Sequence, residues 1–478
     1  MVEIFGKQKK WMWAVVALAM SALPGMAGKP NVVFFLVDDL GIKDLACYGI
    51  DFHESPNIDR LSREGMRFTN AYATHPVCGP SRAAIMTGRF PARLGVTGVG
   101  GRIPEGNTIW PNVLKDAGYT TWFGGKWHLG NADSVTANGF DYNITGCNRG
   151  QPADFYFPYK GVPVSHNVTG LEDGKPGDYL TDALTDKALS FLDKHGHEPF
   201  LLYFSYYNVH KPANPLGYKK GDLKRYVQGK KEHNAYFEKK LATMDGSNRA
   251  LQDEAYAGKS VPMATKQREP EFASQIMAVD DSVGQVLAKL DELGVAEHTI
   301  VIFTSDQGSM ATSKIAVSSQ LPYRFGKGFL YEGGIRVPLM IKWPGRVEPD
   351  TLNDTITVNT DIYPTVLDML GMELFPKQHV DGVSIMPALK SGTVPFDRTL
   401  YWAFPSNHSL GHKASVAMRQ GAYKLIYWPK DNLRAVYNVE DDVSERNDLS
   451  LTNPELTEQL MNQLKMWDPI KPILKNQK

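Results

Sequence analysis

The chain has 478 residues, of which 42% are apolar and 22% are charged, a composition typical of folded rather than disordered proteins. Lys and Arg together number 52, as do Asp and Glu, so the formal net charge is zero and no overall field favours nucleic acid as a partner. The length exceeds one ordinary hydrophobic core, and we expect a large domain with a smaller one.

The N-terminus has the pattern of an export signal. Three lysines before residue 11 form a basic start, WMWAVVALAMSAL (11–23) is an apolar run too short to span a bilayer comfortably, and Ala27 ends a small-residue cleavage site. We predict that residues 1–27 are a signal peptide and that the mature chain is periplasmic or secreted. The alternative is a retained anchor, but no long apolar stop follows and no other stretch has a transmembrane pattern, so stable membrane insertion is not expected.

Four short apolar runs predict buried strands, and polar residues follow each of them. The runs are 31–37, 119–123, 200–207 and 299–304. The polar residues are Asp38 and Asp39 after the first, Lys126 and His128 after the second, His210 after the third, and Asp306 and Gln307 after the fourth. In parallel sheets, ligands bind beyond the carboxyl ends of the strands, so we expect these side chains to meet at one edge.

Amphipathic helical patterns, such as the one over 181–195, separate these strands. Their alternation predicts an α/β fold: a large mixed sheet sandwiched by helices. The polar segment 211–270 has little pattern and is interpreted as an insertion over the active face. Later in the chain, short strand-like pieces and a helix capped by Asn453 predict a small antiparallel sheet with one helix. We therefore expect a catalytic domain over 28–372 and a C-terminal subdomain over 373–478.

Asp38, Asp39 and Asp306 are carboxylates at neighbouring strand ends. Bringing them together without a cation would be unfavourable, because like charges at short range raise one another's pKa. A hard divalent cation with oxygen ligands removes this penalty, and Gln307 could add an amide oxygen. Ca²⁺ accepts such a set more readily than Zn²⁺, which prefers His or Cys. The alternative is that Asp38 and Asp39 merely cap a following helix.

The chain has three cysteines, too few for an exported disulfide scaffold. Cys47 and Cys147 either pair or are both free, and Cys78 needs a separate explanation. It lies in PVCGPSR (76–82), at the start of a predicted helix, where an anion or a thiolate is favoured and Arg82 adds a permanent charge. Cys78 could be a buried apolar residue, a thiolate nucleophile or the precursor of another group. Further donors that could complete an oxyanion pocket are Lys126, His128, His210 and Lys327.

CGPSR followed by AAIMTGR resembles the C-x-P-S-R signature of the type I sulfatases, members of the alkaline-phosphatase-like superfamily. Five further features follow that family's pattern along the chain: VDDLGIKDLACYG (37–49), GKWHLG (125–130), the strand before His210, FTSDQG (303–308) and GKGFLYEGGIRVP (326–338). The resemblance covers nearly the whole mature chain, and six motifs together are far more specific than any one of them. It implies an alkaline-phosphatase-like fold and a bacterial carbohydrate sulfatase.

The resemblance also implies a chemistry. Cys78 would be converted to formylglycine by a separate maturation enzyme, and one hydroxyl of the hydrated aldehyde would attack sulfur while the other later expels sulfate. Ca²⁺ would be held by Asp38, Asp39, Asp306 and Gln307, although the family usually has Asn at the last position. The hydrate would be positioned and polarised by Arg82 and Lys126, and His128 would act on it as a base. Roles at the sulfate would belong to His210 and Lys327, with His210 protonating the leaving oxygen.

We therefore predict a sulfuric ester hydrolase whose substrate is a sulfated oligo- or polysaccharide, with a galactan such as carrageenan first and glycosaminoglycans next. The alternatives are a phosphodiester or phosphonate monoester hydrolase of the same superfamily, and an inactive sulfated-glycan binding protein. The last is disfavoured because every position needed for chemistry carries a competent side chain. Residues that could hold sugar rings or a second sulfate, but that taken singly fit the core better, are Tyr206, Tyr207, Arg324, Trp402, Phe404 and His408.

Overall fold

The computed structural model describes residues 28–98, 100–161, 164–213, 227–244, 250–392, 394 and 398–475. The predicted signal peptide over 1–27 lies outside the described residues. The strands are β1 (Asn31–Val37), β2 (Met66–Phe68), β3 (Ala71–Tyr72), β4 (Thr120–Gly125), β5 (Tyr142–Ile144), β6 (Phe200–Ser205), β7 (Leu251–Tyr256), β8 (Lys259–Ala264), β9 (Thr299–Ser305), β10 (Leu339–Lys342), β11 (Thr351–Asn353), β12 (Thr357–Val358), β13 (Thr399–Phe404), β14 (Ser415–Gln420), β15 (Tyr423–Trp428) and β16 (Leu433–Asn438). The α-helices are α1 (Pro56–Glu64), α2 (Cys78–Thr87), α3 (Pro91–Leu94), α4 (Trp110–Asp116), α5 (Ala132–Ala137), α6 (Leu180–His195), α7 (Lys231–Ala242), α8 (Pro270–Glu292), α9 (Glu332–Ile335), α10 (Ile362–Met369), α11 (Met386–Ser391), α12 (Pro454–Met466) and α13 (Lys471–Lys475).

The predicted large mixed sheet is confirmed. Among the described residues it has eight strands in the order β11–β2–β10–β9–β1–β6–β4–β5. β10 runs antiparallel to both of its neighbours, and the other adjacent pairs are parallel. The four strands predicted from apolar runs are β9, β1, β6 and β4, which are consecutive neighbours in this order. Their carboxyl ends therefore lie side by side, and the polar residues that follow them share one edge.

A hydrophobic layer covers each face of this sheet. On one face, Val33 of β1 packs in a cluster with Leu184 of α6 and Val279 of α8. On the other face, Phe34 of β1 belongs to a cluster with Ile85 of α2. Successive strand residues point to opposite faces, so a strand buried on both sides has a continuous apolar sequence instead of an alternating one. This is why the sheet could be predicted from short uninterrupted apolar runs.

The C-terminal part contains the predicted antiparallel sheet, with strands β13–β14–β15–β16 in chain order. α12 packs against it, and Asn453 caps this helix by accepting a hydrogen bond from the Leu456 backbone N–H. On the other face of this sheet, Trp402 packs in a hydrophobic cluster with Tyr72 of β3 and with Phe329. The Trp402 indole also donates to the Ala73 carbonyl at 2.7 Å. The C-terminal sheet is therefore joined by apolar contacts to the two-stranded sheet of β3 and β12 and to the segment 325–335.

A buried ionic group lies where the C-terminal sheet meets α9 and β3. Lys424 of β15 is 3.0 Å from a Glu332 carboxylate oxygen and 2.9 Å from a Glu445 oxygen, and all three side chains are fully buried. The Tyr72 hydroxyl donates to Glu332 at 2.6 Å, and Arg336 approaches the same carboxylate at 3.2 Å. Burial acts to raise the pKa of Glu332, but Lys424 and Arg336 lower it to about 2. Burial raises the pKa of Glu445 to about 7. Lys424 is therefore the cation shared by two carboxyl groups that water does not reach.

The cysteines, the lengths of the helices and the segment 211–270 also bear on the sequence analysis. All three cysteines are free, so the unpaired alternative for Cys47 and Cys147 is correct. Within the described ranges, no helix is long and apolar enough to cross a membrane. The polar segment 211–270 contains more regular structure than its sequence pattern indicates, namely α7 and the hairpin of β7 and β8. Val261 and Met263 of that hairpin pack into the cluster below the C-terminal sheet, which explains its order.

Candidate active site

Cys78 is the first residue of α2, with Val77 as the N-cap. The helix ends at Gly88, whose φ of 66° is in the left-handed region that glycine adopts readily. The Ser81 hydroxyl fastens the first turn by donating to the Asp306 carbonyl, just after β9. Cys78 is buried but lines a cavity, so the free N–H groups of the helix start lie beside it. A negative charge next to Cys78 is therefore stabilised.

The structure brings the predicted carboxylates together. Asp38, Asp39 and Asp306 are completely buried, and the Asp39 backbone N–H donates to an Asp306 carboxylate oxygen at 3.2 Å. Among the described residues, ligand atoms of Asp38, Asp39 and His210 lie within 4.8 Å of one another. Asp38 and Asp39 follow β1, Asp306 follows β9, and His210 follows β6. These three strands are neighbours in the sheet, which explains why positions so distant in sequence converge.

Each carboxylate has a cation of the predicted set as its partner. Lys126 donates to Asp38 at 2.6 Å. Lys327 donates to both oxygens of Asp39, at 2.6 and 2.7 Å. The Nε of Arg82 donates to Asp306 at 2.7 Å. The arrangement therefore holds equal numbers of buried positive and negative groups before any ligand binds.

These ion pairs compensate the negative charges of the carboxylates to different extents. Burial acts to raise the pKa of Asp38, but Lys126, His210 and Arg82 together hold it well below its ordinary value. Burial raises the pKa of Asp306 well above its ordinary value even though Arg82 opposes the shift. Arg82 itself is only partly satisfied, because its Nη2 has no hydrogen-bond partner among the described residues. The raised pKa of Asp306 indicates that its charge is incompletely compensated, which a nearby cation would relieve, while the free Arg82 Nη2 can donate to an acceptor.

Gln307 supports the fit of a hard cation. Its amide nitrogen contacts the carboxylates of Asp39 and, at 3.5 Å, Asp38. Its amide oxygen is buried and has no partner among the described residues. Rotating the amide by half a turn exchanges the two atoms and places an oxygen among the carboxylates. A cation that prefers oxygen ligands would satisfy the amide oxygen and the aspartates at once, so the donor set suits Ca²⁺.

The two predicted histidines are neutral. Burial, Lys126 and Arg82 hold the pKa of His128 well below its ordinary value. Burial and Lys327 lower the pKa of His210 to about 4. Nδ1 of His210 donates to the Lys211 carbonyl at 2.8 Å, which leaves Nε2 unprotonated and 3.6 Å from Asp39. Both rings therefore have an unprotonated nitrogen that can bind a cation or accept a hydrogen bond, whereas taking up a proton, and hence proton donation by His210, requires the charged ring that their surroundings disfavour.

The backbone is strained at Asp39 and also at His128. Their φ angles are 58° and 62°, in the left-handed region that residues with a Cβ seldom adopt. Such conformations are unfavourable by roughly 1–3 kcal/mol and concentrate at functional sites. The His128 backbone N–H is held by the Cys147 carbonyl at 2.8 Å, and the Gly150 backbone lies against the ring. The segment 147–150 therefore positions His128.

The cluster opens into a cavity of about 930 Å³. Cys78, His128, His210 and Lys327 of the predicted set line it. Basic residues that the sequence did not single out also line it: Arg149, His166, Lys211 and Lys314. They lie in segments without periodicity, so only their charge could have drawn attention. No Asp or Glu among the described residues lines this cavity.

Most of the residues named above as possible sugar contacts belong to the core, which is the role that fits each of them better when it is considered singly. Tyr206, Tyr207, Trp402 and Phe404 are each 1% exposed. Arg324 is paired with Glu254 at 2.8 Å and lines a different cavity. His408 is the exception, because it lines the cavity beside Lys327. The loop between β13 and β14 thus brings the C-terminal sheet to the site.

Comparisons with known proteins agree with this geometry. A family model described as Sulfatase matches residues 30–372, and one described as N-sulphoglucosamine sulphohydrolase, C-terminal, matches residues 323–468. An N-acetylglucosamine-6-O-sulfatase of Bacteroides thetaiotaomicron is 28% identical, over 91% of this chain and 86% of its own. An N-acetylgalactosamine-6-sulfatase of Sus scrofa is also 28% identical, over 88% and 76%. The crystal structure of Ps i-CgsB in complex with k-i-k-neocarrahexaose is 27% identical, covers 92% of each chain and has a TM-score of 0.72. The chain therefore belongs to the sulfatase family and is a sulfuric ester hydrolase.

Proposed function

We propose that this enzyme removes sulfate from a sulfated carbohydrate outside the cytoplasm, using formylglycine at position 78 and Ca²⁺. The observation that carries the proposal is the juxtaposition of Cys78, at a helix start, with a buried carboxylate cluster on a cavity free of described acidic side chains. The relatives named for hexosamine sulfates and the neocarrahexaose complex support a carbohydrate. We retain a carrageenan-type galactan as the first candidate, the signal peptide over 1–27, and the division into 28–372 and 373–478.

In this proposal the residues have distinct tasks. Formylglycine would supply an oxygen nucleophile at position 78, which the unmodified thiol of Cys78 does not. Asp38, Asp39, Asp306 and Gln307 would hold Ca²⁺, which supplies positive charge to the reacting oxygens. Neutral His128 accepts a proton beside position 78. Lys327, on the cavity wall, donates to a sulfate oxygen, while Arg82 and Lys126 hold the carboxylates in place.

His210 needs a task that matches its protonation. Its Nε2 faces the Asp39 carboxylate and the cavity. A neutral ring can bind a cation or accept a hydrogen bond there, and it can protonate a leaving oxygen only after gaining a proton as the substrate's negative charge enters the cavity. We therefore propose that His210 is a proton donor only in the substrate complex.

Release of free sulfate from defined sulfated oligosaccharides tests the proposed function. Purified enzyme co-produced with a formylglycine-generating enzyme is incubated with carrageenan and glycosaminoglycan oligosaccharides, and sulfate is measured by ion chromatography. We expect release from at least one class. Cleavage of phosphate diesters or phosphonate monoesters, without sulfate release from any oligosaccharide, would contradict the proposal.

Calcium should stabilise the folded enzyme. Because the carboxylate cluster forms only in the folded chain, calcium at about 100 times its Kd adds about 2.7 kcal/mol to the free energy of unfolding. We expect the thermal midpoint to rise by about 3 °C over that in EDTA, because a chain of this size has a large entropy of unfolding. Differential scanning fluorimetry measures this without any substrate. Asp39→Asn should abolish the rise, and equal midpoints with calcium and with EDTA would refute calcium binding.

Gly150→Ala should lower turnover without unfolding the enzyme. An added Cβ would lie 2.9 Å from Cε1 and 3.0 Å from Nε2 of His128, so the ring must move. Small displacements of catalytic groups reduce rates by up to about 10²-fold, and we expect kcat/KM to fall at least tenfold. The matched control is Gly28→Ala, whose Cβ meets only one described atom at 3.8 Å. Equal activity of the two variants would show that His128 is not positioned by this contact.

A further inference from the structure

The cavity has an outer region whose charges the proposed reaction does not use. Beyond the residues next to Cys78, the wall carries Arg149, His166, Lys211, Lys314 and His408. The chain as a whole has equal numbers of acidic and basic residues, yet this wall has no described acidic one. One scissile sulfate needs only the donors next to Cys78. Burial lowers the pKa values of His166 and His408, whereas Arg149 keeps a permanent charge that favours a further negative group on the substrate.

Arg149 stands out among these residues because its orientation is fixed. Its Nε donates to the Ser165 carbonyl at 3.1 Å, and its Nη1 contacts the Cys147 sulfur. Neither partner is a carboxylate, and Arg149 forms no ion pair with any residue that the structure describes. It differs in this respect from the arginines that are paired with carboxylates, among them Arg82, Arg93, Arg324, Arg336 and Arg398. The positive charge of Arg149 is therefore not compensated by any carboxylate that the structure describes.

The position of Arg149 links the outer wall to the reacting position. His166 lines the cavity next to it, and burial, Arg149 and His128 together lower the pKa of His166. Cys147 is held on the other side by the His128 backbone N–H. Arg149 is therefore attached to the same segment that positions His128, so an anion bound by Arg149 would be held at a fixed separation from Cys78. The cavity volume of about 930 Å³ is enough for more than one sugar ring.

We propose that Arg149 is a specificity-determining residue that binds a second anionic group, a sulfate ester or a carboxylate, on the same substrate. The inference rests on the proposed function and narrows its substrate to carbohydrates with at least two negative groups. A guanidinium suits this task because its planar donors match sulfate and carboxylate oxygens. Its contacts with Ser165 and Cys147 orient the group without pairing it with a carboxylate.

Binding to an inactive protein tests the inference independently of turnover. In the Cys78→Ala background, calorimetry measures the Kd of paired probes that differ by one anion. The pairs are N-acetylgalactosamine 6-sulfate with its 4,6-disulfate, monosulfated with disulfated neocarrabiose, and a 6-sulfated hexosamine with and without a linked uronate. We expect Arg149→Met to reduce the preference for the more anionic member of one pair at least tenfold. Arg149→Lys should give an intermediate preference, because it keeps the charge but not the planar fork.

The outcomes separate the inference from the proposed function. A lost preference in the disulfated pairs identifies a sulfate as the second anion, and one in the uronate pair identifies a carboxylate. The matched control Arg63→Met, an exposed arginine of α1 outside the cavity, should leave the preference unchanged. Preferences equal in Arg149→Met and its parent, or no binding of any doubly anionic probe, would overturn the inference. Sulfate release by the unmodified enzyme reports separately on the proposed function.

Discussion

Cys78→Ala is expected to abolish sulfate release while leaving the fold intact. Alanine cannot be converted to an aldehyde, so the nucleophile is lost, and removing a nucleophile that acts with its neighbours reduces turnover by roughly 10⁴-fold or more. The side chain loses one sulfur atom on a cavity wall, and α2 tolerates alanine at its first position. Ion chromatography of sulfate and a thermal melt measure the two effects. We expect turnover below detection with a thermal midpoint close to that of the parent.

The control for this prediction is Cys47→Ala, which removes a free thiol outside the cavity and should retain activity. Peptide mass spectrometry adds an independent check, because conversion of Cys78 to formylglycine lowers the mass of its peptide by about 18 Da. Full activity in a preparation that keeps the unmodified thiol would refute the maturation of Cys78, and residual activity in Cys78→Ala would refute its role as nucleophile precursor.

Lys424→Met is expected to destabilise the enzyme by about 3–5 kcal/mol. The substitution keeps the length of the side chain but leaves Glu332 and Glu445 buried without their shared cation. An uncompensated buried carboxylate must either remain charged in a poorly polarisable site or take up a proton, and both options disfavour the folded state. Equilibrium urea unfolding followed by tryptophan fluorescence measures the loss as a lower transition midpoint.

Lys430→Met is the matched control, because Lys430 is an exposed lysine just after β15. Exposed substitutions of this kind change stability by about 0.5 kcal/mol or less. Glu332 keeps Arg336 as a partner in Lys424→Met, so adding Glu445→Gln removes the carboxyl group that has lost its cation and should recover part of the loss. A midpoint for Lys424→Met within the error of the Lys430→Met midpoint would show that this ionic group does not stabilise the contact between the C-terminal sheet and α9.

The large sheet and its functional edge could be predicted because their signals are local. Each strand of the β9–β1–β6–β4 series is a continuous apolar run that ends next to polar residues. The chain-wide order of motifs then placed Cys78, Arg82 and the aspartates. The start of α12 could also be predicted, since the capping side chain of Asn453 and the proline that follows it occupy adjacent positions. In all of these cases the determinants lie within a few residues of the feature.

The remaining features depend on contacts between distant segments. Arg149 and His166 follow no apolar period, and only the folded chain places them beside His128. The hairpin of β7 and β8 is ordered by packing against residues of another sheet. The neutral state of His210 likewise follows from burial and from Lys327, which is more than a hundred positions away in the chain. Sequence patterns do not encode such environments locally.

The order β9–β1–β6–β4 has a consequence for how the chain folds. Residues of the carboxylate cluster are as far apart as Asp39 and Gln307, which are separated by 268 positions. Joining such positions closes very long loops, and their closure entropy grows only slowly with length. The carboxylate cluster therefore exists only when β1, β6 and β9 lie side by side, and each of its contacts depends on the completed sheet. The proposed calcium ion would accordingly favour the aligned sheet over every state of the chain in which these strands are apart.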